Sequence, residues 1–190
     1  MDKNKIIDIF KITGSLLEGH FVLSSGLHSD KYIQCAKVLQ FPEHLTKFSQ
    51  IISNYFEKFM PDVVISPAIG GVVLGTEVGR QLGARTIFAE RKNDKMVIRR
   101  GFKIKPKEKV LIIEDVITTG GSVLEVKQCV QDTGAEIIGI GVLVDRSNKS
   151  ARFHQNQFSL LNLEVNSYKE ENLPEALLSL PIQKPGSRLL

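Results

Sequence analysis

The sequence predicts an α/β fold, with a central, mostly parallel sheet flanked by helices on both faces. Short runs rich in valine and isoleucine occupy residues 62–66, 85–89, 109–115 and 136–144. Helix-like patterns over 70–82 and 121–133 separate the first two runs and the last two runs. Strands that alternate with helices pair in parallel, and strands covered on both faces are continuously apolar.

The flanking segments predict smaller elements. Apolar residues at helical spacing predict a first helix over 4–17, and Pro42 suits the first turn of a second one. Strand-like runs follow the first helix at 20–23 and 31–35, and another strand is expected at 158–165. The tail after residue 170 contains three prolines, which indicates a short helix followed by an extended end.

Composition excludes several classes of protein. The chain has 190 residues, 42% hydrophobic and 24% charged, which is typical of a globular domain and not of a disordered, fibrous or coiled-coil chain. Its apolar runs fall far short of the roughly 20 residues that span a bilayer, and no signal-peptide pattern is visible, so we expect a cytoplasmic protein. Cys35 and Cys129 are too few and too far apart to predict a disulfide scaffold or a zinc site.

The basic residues are concentrated in one segment. Residues 91–109 hold nine lysines and arginines against two acids, whereas the formal charge of the whole chain is only +4. This distribution argues against a nucleic-acid-binding surface and favours a local site for a multiply anionic ligand, although a solvated charged loop is an equal alternative. Two short apolar runs flank Arg99-Arg100-Gly101, so we expect a hairpin-like flap between Glu90 and Lys109.

Residues 110–122 carry the clearest chemical signal. Four apolar residues are followed by Glu114 and Asp115, which we expect to end the strand, and then by a loop of small hydroxylated residues and glycines that opens a helix. The amides and hydroxyls of residues 118–122 suit a phosphate at a helix N-terminus, at the sheet edge where α/β proteins bind ligands. Two carboxylates repel a phosphate, but they suit the adjacent hydroxyls of a sugar that carries one.

Other interpretations of this motif explain less. No Gly-Lys-Ser/Thr follows the loop, and the GxGxxG spacing is absent, so neither a P-loop nor a dinucleotide fingerprint is present. An ordinary strand-to-helix turn with a capping threonine or serine is the bland alternative. Neither capping nor packing requires two carboxylates at this position.

The motif resembles the phosphoribosyl pyrophosphate (PRPP) motif of type I phosphoribosyltransferases, in which two acids precede a loop rich in threonine and glycine. Other stretches, taken together, resemble the orotate phosphoribosyltransferase branch over nearly the whole chain. They are Gly19-His20-Phe21, residues 25–29, residues 66–71, Glu90-Arg91-Lys92, Val144-Asp145-Arg146 and residues 184–188. The resemblance implies the type I fold in a single domain, with hood elements in residues 1–35, a core in 40–168 and a C-terminal extension in 169–190.

The resemblance also implies roles for individual residues. Glu114 and Asp115 would bind the ribose hydroxyls and act in catalysis, and the loop after them would cradle the 5′-phosphate. Residues 66–71 would form the pyrophosphate loop, and Lys95 would reach the leaving oxygens from the flap as a third catalytic residue. The implied PRPP contacts are Ala68, Ile69, Gly70, Arg91, Lys92, Lys95, Glu114, Asp115, Val116, Ile117, Thr118, Thr119, Gly120, Gly121 and Ser122.

The resemblance implies that Thr118 and Arg146 contact orotate. Arginine suits this role because its guanidinium can bind the carboxylate of orotate bidentately. The region 24–33 would belong to the hood, and within it we expect His28 to be a polar loop residue and not a catalyst. Arg99 and Arg100 are as compatible with a solvated surface as with the ligand.

The implied reaction transfers a 5-phosphoribosyl group from PRPP to N1 of orotate, in pyrimidine (UMP) biosynthesis. Mg²⁺ is the implied cofactor, held mainly by substrate oxygens and not by a protein metal site. A homodimer with shared active sites is the implied assembly. A relative acting on a purine or on uracil is the nearest alternative, which Arg146 disfavours because a neutral base needs no cation there. A PRPP-sensing regulator is another alternative, but residues 1–60 show no helix-turn-helix with a basic recognition helix.

Overall fold

The computed structural model of the chain describes residues 1–23, 25–148 and 150–184. Residues 41–163 form one compact unit, and residues 1–40 form a second unit with the described residues from 164 onward. The larger unit contains a six-stranded sheet and the smaller unit a four-stranded sheet.

The smaller unit begins with helix α1 (Lys3–Ile12), strands β1 (Leu16–Val22) and β2 (His28–Ile33), and the short helix α2 (Ala36–Leu39). The helix predicted over 4–17 is therefore wrong beyond residue 12. Thr13 ends it by donating its hydroxyl to the Ile9 carbonyl, and Gly14 follows at a φ of +67°, which glycine adopts readily. Both predicted strands also begin several residues earlier than expected. For β1 the reason is that the leucines at 16 and 17 fit the periodicity of a helix or of a strand.

The larger unit contains, in chain order, α3 (Pro42–Phe56), β3 (Val63–Pro67), α4 (Gly70–Leu82), β4 (Arg85–Lys92), β5 (Lys95–Ile98), β6 (Lys109–Ile117), α5 (Gly121–Gln131), β7 (Glu136–Asp145) and β8 (Gln157–Asn162). Its sheet has the order β5-β4-β3-β6-β7-β8, and every neighbouring pair is parallel except β4 with β5. The predicted mostly parallel sheet is confirmed. The bounds of α4 agree with the prediction, and α5 ends two residues before its predicted end.

Helices cover both faces of this sheet. On β6, Ile112 belongs to the same apolar cluster as three buried valines of α5, whereas Ile113 and Ile52 of α3 both lie against Gly141. Successive residues of a strand point to opposite faces, so α3 and α5 lie on opposite sides of the sheet. The residues that these two helices bury at helical spacing are Phe48, Ile52 and Phe56 of α3, and Val123, Val126 and Val130 of α5.

After β8 the chain forms β9 (Ser167–Tyr168), α6 (Glu175–Leu178) and β10 (Ile182–Gln183). The short helix predicted for the tail is present and is followed by the extended residues of β10, whereas residues 185–190 of the predicted extended end lie outside the described residues. The predicted strand at 158–165 ends at residue 162. In the smaller sheet, β10 pairs in parallel with β1 and β9 pairs antiparallel with β2, giving the order β10-β1-β2-β9. Among the described residues, no helix has the length and apolar character needed to cross a membrane.

Two histidines form a buried pair between β1 and β2. The Nε2 atom of His20 lies 2.6 Å from the Nδ1 atom of His28, so one ring donates a hydrogen bond to the other. Both side chains are buried. The expectation that His28 is a loop residue is therefore wrong, because this residue begins β2 and its buried ring bonds to the ring of His20.

Candidate active site

Three loops meet at the carboxyl edge of the six-stranded sheet. Strands β3, β6 and β7 are neighbours and run in parallel, so their C-terminal ends lie at one edge. The loops that follow them begin at Ala68, Thr118 and Arg146. These are the stretches in which the sequence predicts the pyrophosphate, 5′-phosphate and orotate contacts, and α/β proteins bind ligands at such an edge.

Glu114 and Asp115 lie side by side within β6, which continues to Ile117 and does not end at the carboxylates as expected. Glu114 is buried and Asp115 is half-buried, and Glu114 Oε1 accepts a hydrogen bond from the Asp115 amide at 3.1 Å. Burial, and secondarily the neighbouring Asp115 carboxylate, raise the pKa of Glu114 to about 9, and burial raises the pKa of Asp115. The pair therefore favours a cation or hydrogen-bond donors beside it.

The loop after β3 packs directly against this acidic pair. A Cβ atom added to Gly70 would lie 2.5 Å from Asp115 Oδ2, and one added to Gly71 would lie 3.2 Å from Glu114 Oε1. Only glycine fits at residue 70 without displacing the carboxylate. Both glycines belong to the first turn of α4, where amides have no acceptor within the helix and can bind an anion.

The loop after β6 forms the start of α5. Thr118 and Thr119 are exposed, and Gly120 precedes the helix at a φ of +78°. A Cβ atom at Gly120 would collide with the ring of Phe153, so both the backbone conformation and the packing require glycine. The first-turn amides that follow, and the positive end of an 11-residue helix, suit a phosphate at this position.

Arg146 lies next to the start of the loop after β6. Its amide donates a hydrogen bond to the Ile117 carbonyl at 2.8 Å, which brings it beside Thr118, the other implied orotate contact. The preceding Asp145 is buried and accepts hydrogen bonds from the amide and hydroxyl of Ser147 at 2.8 and 2.6 Å. The Ile117 side chain is in the core, so this residue offers only main-chain atoms to a ligand.

A hairpin is present in this segment, but its turn is not where the sequence predicts it. Strands β4 and β5 form it around residues 93–94, whereas Arg99-Arg100-Gly101 follow β5 and residues 102–104 form no strand. Residues 93 and 94 form its turn and both have positive φ, as the two-residue turns that suit hairpins require. Ala89 pairs with Pro67 at the end of β3, and β4 continues to Lys92, so the hairpin projects beyond the carboxyl edge. Lys92 and Lys95 pair across its tip and are exposed. That the hairpin acts as a closing flap stays a prediction.

The arginines of the hairpin form ion pairs. Arg91 Nη2 lies 2.9 Å from Glu125 Oε2 on α5. Arg100 and Arg99 lie 2.9 and 3.4 Å from the carboxylate oxygens of Glu90, and the hydrogen bond from Arg100 lowers the pKa of that carboxyl. Arg99 and Arg100, which follow β5, are therefore paired with Glu90 on the other strand of the hairpin, β4.

The acidic pair fits a magnesium ion only in part. Among the described residues, no group of three or more His, Cys, Asp or Glu side chains could hold a metal ion. Glu114 and Asp115 offer the hard oxygen atoms that Mg²⁺ prefers, and Mg²⁺ in proteins commonly takes its other ligands from water and substrate phosphates. The raised pKa values of both carboxyls are consistent with a site that gains a cation together with its substrate.

Comparison with known proteins identifies the family. Residues 36–178 match the family described as "Phosphoribosyl transferase domain". An orotate phosphoribosyltransferase of Chlorobium phaeobacteroides (strain BS1) is 57% identical over 190 residues, which cover 100% of this chain and 98% of that protein. Another, from Caldanaerobacter subterraneus subsp. tengcongensis, is 46% identical over 100% of both chains. The chain belongs to the orotate phosphoribosyltransferase family.

Solved structures share the fold of this chain. The orotate phosphoribosyltransferase of Aeropyrum pernix superposes with a TM-score of 0.69 at 24% identity, covering 83% of this chain and 93% of that one. The Leishmania donovani UMP synthase superposes with a TM-score of 0.70 at 18% identity, covering 86% of this chain and 37% of that one. The type I fold is confirmed, and the enzyme is a glycosyltransferase of pyrimidine biosynthesis.

Some predicted positions fall outside the part of the chain that the structure describes. Ser24 of the implied hood and residues 185–188 of the closing motif lie outside the described residues. Two residues of the site have no role in the sequence-based expectations: Glu125, which pairs with Arg91 of the hairpin, and Phe153, whose ring packs against Gly120 of the phosphate loop. No local pattern marks these residues, since each acts on a segment distant in the chain. Gly120 is the one position in the sequence that hints at the contact with Phe153, because a glycine before a helix can mark a place where another group packs closely.

Proposed function

We propose that the carboxyl edge of the six-stranded sheet carries out the transfer of a 5-phosphoribosyl group from PRPP to N1 of orotate. The C1′–O bond to pyrophosphate breaks, the C1′–N1 bond forms, and the N1 proton of the base is released. The products are orotidine 5′-monophosphate and pyrophosphate. We place the ribose against Glu114 and Asp115, the 5′-phosphate in the loop 118–122, and the pyrophosphate at residues 68–70.

One observation carries this assignment. Gly70 leaves room for the Asp115 carboxylate, so the loop with unpaired helix amides and the acidic pair lie in direct contact. A ligand that lies along this edge would therefore contact three sites in order: the anion site at residues 68–70, the carboxylates of Glu114 and Asp115, and the anion site at residues 118–122. PRPP has the matching order of groups, because its two ribose hydroxyls lie between the 1-pyrophosphate and the 5-phosphate.

The two carboxylates have a chemical role beyond binding. Departure of pyrophosphate leaves positive charge on the ribose ring, and ionised Glu114 and Asp115 would stabilise that charge. Mg²⁺, when bound, supplies charge neutralisation on the leaving group. Glu114 and Asp115 would contribute its protein ligands, and the substrate would provide the others. Because burial raises the pKa of both carboxyls, the cation would also favour their ionised forms.

The hairpin supplies cations for the leaving group. Lys92 and Lys95 pair at its exposed tip, beyond the edge at which pyrophosphate would lie. Closure of the tip over PRPP would bring Lys95 to the leaving oxygens and exclude water from the activated ribose. This enzyme would then catalyse the transfer by positioning and electrostatic stabilisation, without a covalent protein intermediate.

Arg146 selects the base in this proposal. Its guanidinium would bind the carboxylate of orotate, and Thr118 would contact the same base from the neighbouring loop. A neutral purine or uracil offers no anion to this arginine. We further propose that the enzyme works in the cytoplasm as a homodimer with shared active sites, as the family resemblance implies.

The assay that tests the proposal mixes the protein with Mg²⁺, PRPP and one base at a time. Consumption of orotate, followed by its ultraviolet absorbance, is expected to be far faster than consumption of uracil or adenine. Arg146→Ala is expected to raise KM for orotate while leaving KM for PRPP nearly unchanged, because the arginine contacts only the base. Equal turnover of uracil by the wild-type protein would show that the assigned base is wrong.

A further inference from the structure

Arg91 is held at two points on two different elements. Its Nη2 atom donates to Glu125 Oε1 on α5 at 3.0 Å, and its Nη1 atom donates to the carbonyl of Asp94 in the hairpin turn at 2.9 Å. The guanidinium therefore bridges the hairpin and the helix that follows the phosphate loop. A guanidinium has five N–H donors in a fixed plane, so these two bonds leave other donors for an anion.

The position of Glu125 on α5 connects this bridge to the active site. Gly121 begins the helix at the phosphate loop, and Glu125 stands four residues further on. That separation is about 6 Å along the helix axis, little more than one turn. The carboxylate thus holds Arg91 close to the element that would bind the 5′-phosphate.

We propose that Glu125 is a positioning residue, which orients Arg91 toward the anionic groups of PRPP. The inference rests on the proposed function, since it takes PRPP as the ligand of this edge. Glu125 does not touch the substrate. It restricts the rotamers of a long and flexible side chain before the ligand arrives, so less conformational entropy is lost when the ligand binds.

The solvent exposure of the Arg91–Glu125 pair limits how much its loss can affect stability and PRPP binding. The side chains of Arg91 and Glu125 are 48% and 39% exposed, so the ion pair adds little to the stability of the fold. Losing it should therefore leave the protein folded and appear mainly in ligand binding. The expected weakening of PRPP binding is about two- to fivefold, which is the range typical of an exposed charge pair.

The experiment compares Glu125→Ala and Glu125→Gln with the wild-type protein. Calorimetry with PRPP and Mg²⁺, in the absence of orotate, measures PRPP binding without turnover. We expect Glu125→Ala to weaken binding, the glutamine variant to lie between it and the wild type because it retains a hydrogen-bond acceptor, and KM for orotate to stay unchanged. In an Arg91→Ala background, removal of Glu125 should have no further effect.

Glu77→Ala is the matched control. Glu77 forms an ion pair with Arg80 at 2.7 Å and accepts a hydrogen bond from Gln81, both on its own helix α4. It holds no arginine of the hairpin, so its loss should not alter PRPP binding. Equal weakening by this variant would overturn the inference, as would an effect of Glu125→Ala that persists without Arg91 or is absent altogether. A wild-type protein that does not bind PRPP would instead contradict the proposed function, so the two failures are distinct.

Discussion

At the scale of single residues, the acidic pair shows a conflict between stability and function. Glu114 is 6% exposed, and its pKa is raised to about 9 by burial and by the neighbouring carboxylate. A buried carboxyl with no function would be replaced by an apolar residue at no loss to the fold. The presence of two adjacent carboxyls with raised pKa values in this strand, at the carboxyl edge of the sheet, therefore indicates that the pair acts on a ligand.

The raised pKa predicts how stability depends on pH. The folded protein binds the Glu114 proton more tightly than the unfolded chain does, so the free energy of unfolding falls as pH rises from 4.5 to about 9. Glu114→Gln removes this titration and should flatten the profile, leaving the smaller contribution of Asp115. It should also depress turnover strongly. Urea unfolding from acidic to alkaline pH measures the effect, and an unchanged slope in the variant would contradict the assignment.

At the scale of elements, the hairpin of β4 and β5 forms through contacts between neighbouring residues, but it is also tied to α5, a helix distant in the chain. The turn at 93–94 and the pairing of β4 with β5 follow from local chemistry. The ion pairs of Glu90 with Arg99 and Arg100 fix its base, and the Arg91–Glu125 pair ties it to α5. The tip carries the exposed side chains of Lys92 and Lys95.

Lys95→Ala tests the role of the tip. Because the lysine is proposed to act on the leaving group and not on the base, turnover should fall about 10²- to 10³-fold while KM for orotate changes little. Lys103→Ala serves as the control, since this lysine is exposed in the same basic segment but lies beyond the hairpin. Steady-state kinetics of both variants would decide the matter. An equal loss of turnover in Lys95→Ala and Lys103→Ala would mean that the total positive charge of the segment matters, and not the position of Lys95.

At the scale of the whole molecule, the uneven charge distribution is the main electrostatic feature. The total charge is +4, yet residues 91–109 alone hold nine basic side chains and two acids. Arg91, Lys92 and Lys95 lie on the hairpin, beside the proposed PRPP site at the carboxyl edge. The segment then returns to Lys109, which begins β6 at the opposite edge, so only its first part contributes positive charge near that site. Such a field attracts a multiply charged substrate more strongly than a singly charged one.

Ionic strength should therefore affect the two substrates differently. Raising NaCl from about 50 mM to about 500 mM shortens the Debye length from above 10 Å to below 5 Å, which screens the field of the exposed cations. We expect KM for PRPP to rise several-fold and KM for orotate to rise much less, since orotate carries one carboxylate. Initial rates at fixed Mg²⁺ measure both. Parallel increases for the two substrates would argue against steering by this segment.

The helix over 70–82 and the parallel sheet could be predicted because the patterns that specify them are local. Periodicity, turn residues and the acidic motif each lie within a few neighbouring residues. The same approach failed at residues 13–17, where leucines fit both a helix and a strand and only the pairing of β1 with β2 decides between them. His28 was misplaced for a different reason. The turn-rich sequence around it gives no indication that its ring pairs with that of His20.

The sequence by itself determined the fold class, the acidic pair and the glycine loops, since each is encoded in a short stretch whose chemistry is independent of the rest of the chain. Tertiary structure decided that Gly70 lies against Asp115, that Glu125 holds Arg91, and that β10 joins β1. These contacts join segments far apart in the chain. They form only when burial of the apolar core fixes the order of the strands, and no local pattern specifies that order.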